Sequence, residues 1–550
     1  MADKRFLEIE LDIKVPLNST IDKELLKLGL KKGKDYLDYT ILRKSIDSRK
    51  SVFFFYRIKI IINASSFHKL EDKKVRFNYH TPQEELKIEF NPLLKKCRIL
   101  VVGMGPAGLI ASFVLKKKGF DVVLIDRGKK VEEREKDINL FFREKVLNLD
   151  SNVQFGEGGA GTFSDGKLHT RIKDKLKTYI YKLFVELGAP EEILYLSKPH
   201  IGTDKLRFMI KNFREVLKTL GVEIRFNTKL EDFEIIEKKI EGIILKDLIS
   251  NKIYREVFDF VFLAIGNSSR DTFYMLKENG IELQAKPFAV GYRVLHPQEI
   301  IDKIQYKKSY KHPKLPPAEY SLTFNFKSRS VYSFCMCPGG VILNSTNEYN
   351  RNVTNGMSFY KRDLPFANSA IIVSLTPEDF KNDPFIAIDF QRKIEERSFG
   401  LTSSYKLPLW FLSKFTDKNS KNISEKTLDK IISSNTIPSG FEVIENIEDI
   451  YDIKIGERDF SFINTLIKKA FIKWNSLLKN RWIIGESFIT GPETRSSSPI
   501  RIVRNKNFRS VSIENLIPIG EGSGYAGGIT SSAVDGLKAA LDLIKFLEER

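Results

Sequence analysis

Two kinds of hydrophobic patterning alternate along the chain, and the changes between them mark four segments. Phe6-Leu7-Glu8-Ile9-Glu10-Leu11-Asp12-Ile13 alternates apolar and charged positions, the period of a strand with one buried face. A helical stretch at 21–28 and extended stretches at 39–42, 52–62 and 85–90 follow. That order predicts a small α+β unit over residues 1–95, with helices covering one face of an antiparallel sheet. Asn91-Pro92 closes it, because a residue before proline favours an extended link. Arg98-Ile99-Leu100-Val101-Val102 is then apolar almost without a break, as a strand buried on both faces of a parallel sheet requires. Mixed helical and hairpin patterns run to residue 284. Aromatic and β-branched runs broken by Pro, Gly and Asn occupy 285–490, and residues 491–550 return to strand, glycine turn and helix. The expected architecture is α/β: a Rossmann-like, doubly wound domain over 96–284, completed by 491–550 and interrupted by a mainly antiparallel β domain at 285–490.

Composition changes this picture little. A hydrophobic fraction of 42% and a charged fraction of 29% suit globular units, and 550 residues suit two or three of them. No apolar run reaches the roughly 18 residues of a membrane span, and the start Met1-Ala2-Asp3-Lys4-Arg5 has no signal-peptide core. A cytoplasmic protein without a membrane partner is expected. The net charge of +19 is scattered, as in Lys116-Lys117-Lys118 and Lys468-Lys469, which favours a solvated basic surface over a nucleic-acid partner. Three cysteines in such a chain do not make a disulfide framework. Cys335-Met336-Cys337 reads as a buried structural pair, since closing a ring across one residue is strained and no metal-ligand partners accompany it. No metal is expected.

Chemistry enters with Gly103-Met104-Gly105-Pro106-Ala107-Gly108, set between the apolar strand and a helical run. Gly103 makes the tight turn, Gly105 lets backbone approach a pyrophosphate, and Gly108 allows close strand–helix packing; the helix start at Pro106 and Ala107 offers its positive end to phosphate. A second strand, Val122-Val123-Leu124-Ile125, ends in Asp126, placed to accept a ribose hydroxyl and to repel the 2′-phosphate of NADP. Strand, turn, helix, strand and acid in this order predict a dinucleotide fold.

The acid–Arg–Gly run Asp126-Arg127-Gly128 resembles the FAD signature of glutathione-reductase-like flavoproteins. Arg134 stands where the hydroxylase-like branch has a cofactor-contacting arginine, or else is a solvated helix residue. FAD is longer than one such unit can hold, so later segments must complete its site. Phe258 to Asn267, with Ala264-Ile265-Gly266, is either an FAD-type strand or another core strand. Gly520-Glu521-Gly522, followed by Gly528-Ile529-Thr530, resembles the element that meets ribityl and flavin, with Glu521 in place of the usual Asp. Glycine-dense 154–168, including Gly158, Gly159, Gly161 and Thr162, suits a flavin-facing loop and lacks the Lys-Ser/Thr ending of a phosphate loop.

With Pro199-His200-Ile201-Gly202-Thr203-Asp204, Ser333 to Gly340, Asn355 to Ser358, the Gly520 to Gly536 element and Ser45 to Arg49, the sequence resembles a bacterial family of FAD-dependent, dehydrogenase-like proteins over nearly its whole length. The resemblance implies FAD and the fold, and no substrate. A flavin carries the redox chemistry while protein orients and tunes it. An FAD-dependent oxidoreductase, with NAD(P)H as a candidate electron donor, is therefore expected. An RNA-associated flavoprotein and a flavin-binding sensor or scaffold are the alternatives. Lys167, His169, Arg171 and Tyr525 are candidates to face the ring, each with a structural role as its alternative; no acid or base is assigned.

Overall fold

A computed structural model describes residues 6–72, 76–79, 97–168, 170, 174–417 and 425–549. The expected strand at 85–90 and the Asn91-Pro92 link lie outside them.

The N-terminal unit is a four-stranded antiparallel sheet in the order Tyr36–Asp47, Phe53–Asn63, Phe6–Pro16, Phe77–Tyr79. Its alternation works as read: Ile9, Leu11, Ile13 and Val15 are buried with Ile58, Ile60 and Ile62, together with Leu25 of the helix Ile21–Lys27. Thr20 caps that helix by accepting from the Lys23 N–H.

The second unit is a parallel sheet in the order Leu516–Pro518, Phe260–Leu263, Arg98–Val102, Asp121–Ile125, Glu223–Arg225. Both faces of its strands are buried, which is why they read as unbroken apolar runs. Ile99, Val101, Val122, Leu124 and Phe262 face the helices Pro106–Lys117 and Ile529–Glu548. Leu100, Val102, Val123, Ile125, Val261 and Leu263 face the other way. There the cover is mainly an antiparallel meander, Thr228–Ile236, Lys239–Asp247 and Ile253–Glu256, with Phe273 and Leu276 of the helix Arg270–Glu278 and Phe385 and Ile388 of the helix Pro384–Thr402 beside it. The Rossmann-like expectation holds, with that one exchange of layers. Arg98–Val102 lies at the centre of the sheet, and the edge strand Leu516–Pro518 arrives from the far end of the chain.

Between these parts stands a seven-stranded sheet in the order Thr323–Phe326, Arg329–Cys337, Phe366–Leu375, Phe288–Pro297, Phe488–Glu493, Leu407–Phe411, Phe441–Val443. All its neighbours are antiparallel except the last pair. Its core is aromatic and includes Trp410, Trp474 and Trp482. The expected join at 490/491 falls inside the strand Phe488–Glu493; the insertion instead closes at a two-stranded ribbon, Leu283–Ala285 against Ile500–Ile502. Buried ion pairs lock it to the nucleotide unit. Arg270 grips Glu395 through both guanidinium nitrogens at 2.8 and 2.9 Å and reaches Glu348 at 2.8 Å. Such a pair adds little net stability, but losing one partner would strand a buried charge. Among the described residues no helix is long and apolar enough to cross a membrane.

Candidate functional site

At the end of Arg98–Val102 the chain turns at Gly103, with φ of +102°. A β-carbon there would stand 2.4 Å from the Ala264 carbonyl oxygen, so the turn and the neighbouring strand both demand glycine. Gly108 is equally confined: its β-carbon would lie 2.0 Å from the Gly103 carbonyl oxygen. Gly105 differs from both. It caps the helix Pro106–Lys117, and a β-carbon on it would meet nothing within 4 Å, because it would project into an open cleft.

Asp126 holds this turn from the next strand, accepting from the Met104 N–H at 2.9 Å through Oδ2 and from the Gly128 N–H at 2.8 Å through Oδ1. A carboxylate has lone pairs to spare after two such bonds, and Asp126 also lines the cleft. Arg127 lies beside it, donating to Asp271 at 2.6 Å with its guanidinium over the Phe155 ring.

The loop after the first unit packs onto the turn. The Gly158 N–H donates to the Met104 carbonyl at 2.9 Å, and a β-carbon on Gly159 would come within 3.1 Å of Gly105 Cα. The C-terminal element closes on the same place: a β-carbon on Gly520 would sit 2.9 Å from Ala107 Cβ, and one on Gly536 would sit 2.3 Å from the Ala107 carbonyl oxygen. Segments more than 400 residues apart in the chain are thus in van der Waals contact around one helix start.

They enclose a cleft of about 450 Å³, within the range of small-molecule sites. Gly103, Gly105, Pro106, Ala107, Asp126 and Arg127 line it from the first unit. Gly159, Gly161 and Gly266 line the middle, and Gly520, Glu521, Gly528 and Ile529 complete it from the C-terminal part. The strand Phe260–Leu263 is therefore more than a core strand, since Gly266 at its end, with φ of +69°, opens on the cleft.

Five predicted residues sit elsewhere. Arg134 is wholly buried, and its guanidinium donates to the carbonyls of Asn152, Val153, Gly156, Glu157 and Gly159; it braces the glycine loop from behind and does not line the cleft. Gly108 packs beneath the turn. Gly158 and Thr162 line a separate void of about 10 Å³ behind the loop. Thr530 donates its hydroxyl to the Leu168 carbonyl at 2.9 Å. Of the residues proposed to face a ring, Lys167 lines the cleft. Tyr525 instead lies over the guanidinium of Arg504, 4.0 Å from ring centre to Cζ. His169 and Arg171 lie outside the described residues.

The motif reading missed the walls contributed by irregular loops and by the inserted sheet. Thr228 and Leu230 flank Asp126 at one end, while Phe334, Cys335, Thr354, Asn355 and Glu493 form the other. Ser333 to Gly340 and Asn355 to Ser358 stand out in the sequence as points of resemblance, the first also for its cysteine pair and for Gly339-Gly340. Glu521 accepts from Asn267 Nδ2 at 2.9 Å. Burial raises its carboxyl to about 7 against the opposing pull of Lys286 and Asn267.

Fold and cleft together define the class: a flavoprotein with a Rossmann-like FAD-binding domain. Residues 96–136 match the model of an FAD binding domain, and residues 287–496 match that of a FAD-dependent protein, C-terminal domain-like. An uncharacterized protein of Clostridium beijerinckii is 39% identical over 553 residues, covering 98% of each chain. The chain belongs to this FAD-dependent family, and FAD is its cofactor. The Flavin-containing monooxygenase FMO GS-OX-like 9 of Arabidopsis thaliana is 27% identical over 190 residues, 31% of this chain and 37% of its own length. Among solved structures, CtdE in complex with FAD and substrate 4 aligns at 12% identity over 82% of this chain and 81% of its own, with a TM-score of 0.32. The flavin-dependent halogenase CmlS aligns at 10% over 83% and 60%, with a TM-score of 0.35.

Proposed function

We propose that the protein is an FAD-dependent oxidoreductase of the dehydrogenase type, passing hydride or electrons between FAD and a small molecule. The observation that carries this is the convergence of the Gly103, Gly159 and Gly520 turns on one cleft whose far wall belongs to the inserted sheet. Asp126 would hold the ribose, the helix start behind Gly105 would face the pyrophosphate, and Gly528-Ile529 would place a second helix start beside the flavin. When bound, FAD supplies the two-electron chemistry. The residues of the chain orient it, and Phe334, Thr354, Asn355 and Glu493 bound the space left for substrate.

Purified protein should be yellow and release FAD, not FMN, on denaturation. Anaerobic NADH or NADPH should bleach the bound flavin; a flavin that no pyridine nucleotide or other two-electron donor reduces would sink the reading. The Arabidopsis relative favours one second reading, a monooxygenase. Oxygen incorporated into product from 18O2, rather than oxygen consumed only to peroxide, would decide for it.

A further inference from the structure

The cysteines at the far wall of the cleft are arranged for more than packing. Strand Arg329–Cys337 loses register against Phe366–Leu375 where Phe334 opposes Ala370 and Cys337 opposes Asn368, so the cysteine strand carries one extra residue. Within this bulge Cys335 adopts φ of +44°, a conformation uncommon for any residue with a β-carbon and concentrated at functional positions. Cys335 lines the cleft, while Cys337 is wholly buried behind it. The Cys337 thiol donates to the Cys335 carbonyl at 3.4 Å, back across the single residue that separates the two cysteines.

Two cations flank the pair. Lys167 Nζ donates to the carbonyl of Met336, between the two cysteines, and Arg293 Nη1 reaches the Cys335 carbonyl at 3.4 Å. Each is matched by a carboxylate. Asp165 lies 3.1 Å from Lys167 and also pairs with Arg362, and Glu493 holds Arg293 at 2.8 Å.

We propose that Cys335 and Cys337 are a redox pair that interconverts between dithiol and disulfide in exchange with the FAD of this cleft. The proposal rests on the cleft being the FAD site. In the oxidising direction two S–H bonds break and one S–S bond forms; the two electrons and two protons released are taken up by oxidised FAD, and the reverse direction returns them. Hydrogen bonding with the Cys337 thiol, with Lys167 and Arg293 near, holds the Cys335 thiol below the usual range against its burial and the charge of Asp165. Donating that bond and being buried push Cys337 well above the usual range. The reactive sulfur is thus the one that faces the cleft. Strain in a ring closed across a single residue argues against a permanent structural disulfide, but a strained disulfide is the readily reduced kind that a redox pair needs.

The test counts electrons in holoprotein of measured FAD content, air-oxidised and then titrated anaerobically with dithionite. Wild type should take about four electrons per FAD, two for the flavin and two for the disulfide, whereas Cys335→Ser and Cys337→Ser should each take about two. Mass spectrometry of oxidised wild type should find Cys335 and Cys337 joined. Iodoacetamide should modify Cys335 of the reduced form at a pH below that of an ordinary thiol, while Cys97, whose thiol burial pushes up to about 12, stays unmodified until unfolding. Uptake of two electrons by all three proteins at full FAD occupancy, with no such joined peptide, would overturn the proposal and leave the cofactor reading intact. Protein that never holds FAD would overturn both.

Discussion

At the scale of single residues, the three glycines of the first turn separate by what surrounds their absent β-carbons. Gly103 and Gly108 face backbone oxygen at 2.4 and 2.0 Å, so their substitution disrupts the fold itself. Gly105 faces only the cleft. Gly105→Val should therefore fold, with circular dichroism and apo-protein melting close to wild type. It should lose FAD by at least about 100-fold in Kd, or about 2.7 kcal/mol, because its branched side chain stands in the pyrophosphate's place. Titration of the apo-protein with FAD checks this, and full yellow occupancy in the variant would contradict it. Arg134 makes the opposite case. With five carbonyls around one planar guanidinium, Arg134→Lys keeps the charge but cannot reach them all. The expected loss is about 3 kcal/mol of stability, of the order found when a buried charge loses its partners, measured by denaturant unfolding. The glycines were legible in the sequence because their tasks are local to one turn. Arg134 was not, because its partners are carbonyls, which every residue carries and which leave no trace in side-chain identity.

At the scale of elements, the site depends on how closely two helices cross. Ile529–Glu548 lies against Pro106–Lys117, and Gly536 allows it, since a β-carbon there would sit 2.3 Å from the Ala107 carbonyl. Gly536→Ala sets two effects in opposition. Helix propensity favours alanine by about 0.8–1 kcal/mol, whereas forcing a methyl against rigid backbone costs about 1–3 kcal/mol. The contact is with backbone and cannot relax by a rotamer change, so the clash wins. A net loss of about 1–2 kcal/mol is expected, along with weaker FAD binding, because the helix that moves carries Ile529 of the cleft wall. Unfolding and FAD titration of the one variant check both, and unchanged or higher stability would refute the argument. Elements of the parallel sheet were readable for a related reason: burial on both faces writes itself as an apolar run such as Ile99 to Val102. The identity of each covering layer does not, because Val123 and Ile125 look the same whether they meet a helix or the meander of Phe233, Ile243 and Leu245.

At the scale of the whole molecule, one cleft joins walls from the nucleotide unit, the inserted sheet and the C-terminal segment, so ligand binding and global stability are linked. Free FAD at 100 times its Kd should stabilise the chain by about 2.7 kcal/mol. The cleft also holds a proton that the unfolded chain releases at lower pH. Burial puts the Glu521 carboxyl at about 7, against the ordinary 4.5 of a glutamate in the unfolded chain. Between those values the folded protein binds more protons than the unfolded one, so stability falls as pH rises. The contribution is fully present below about pH 4.5 and is lost as pH passes 7. An isolated group with that shift would change stability by up to about 1.4 kcal/mol per pH unit, but Glu521 is partly exposed on an open cleft. After discounting for that screening, a total of about 1–2 kcal/mol is expected. Glutamine has no proton to lose, so Glu521→Gln apo-protein should keep its stability from pH 5 to pH 8 better than wild-type apo-protein by that amount. Denaturant unfolding of both proteins at the two pH values measures the difference directly. Parallel behaviour would mean that Glu521 is already ionised at pH 5, and that Lys286 and Asn267 outweigh its burial.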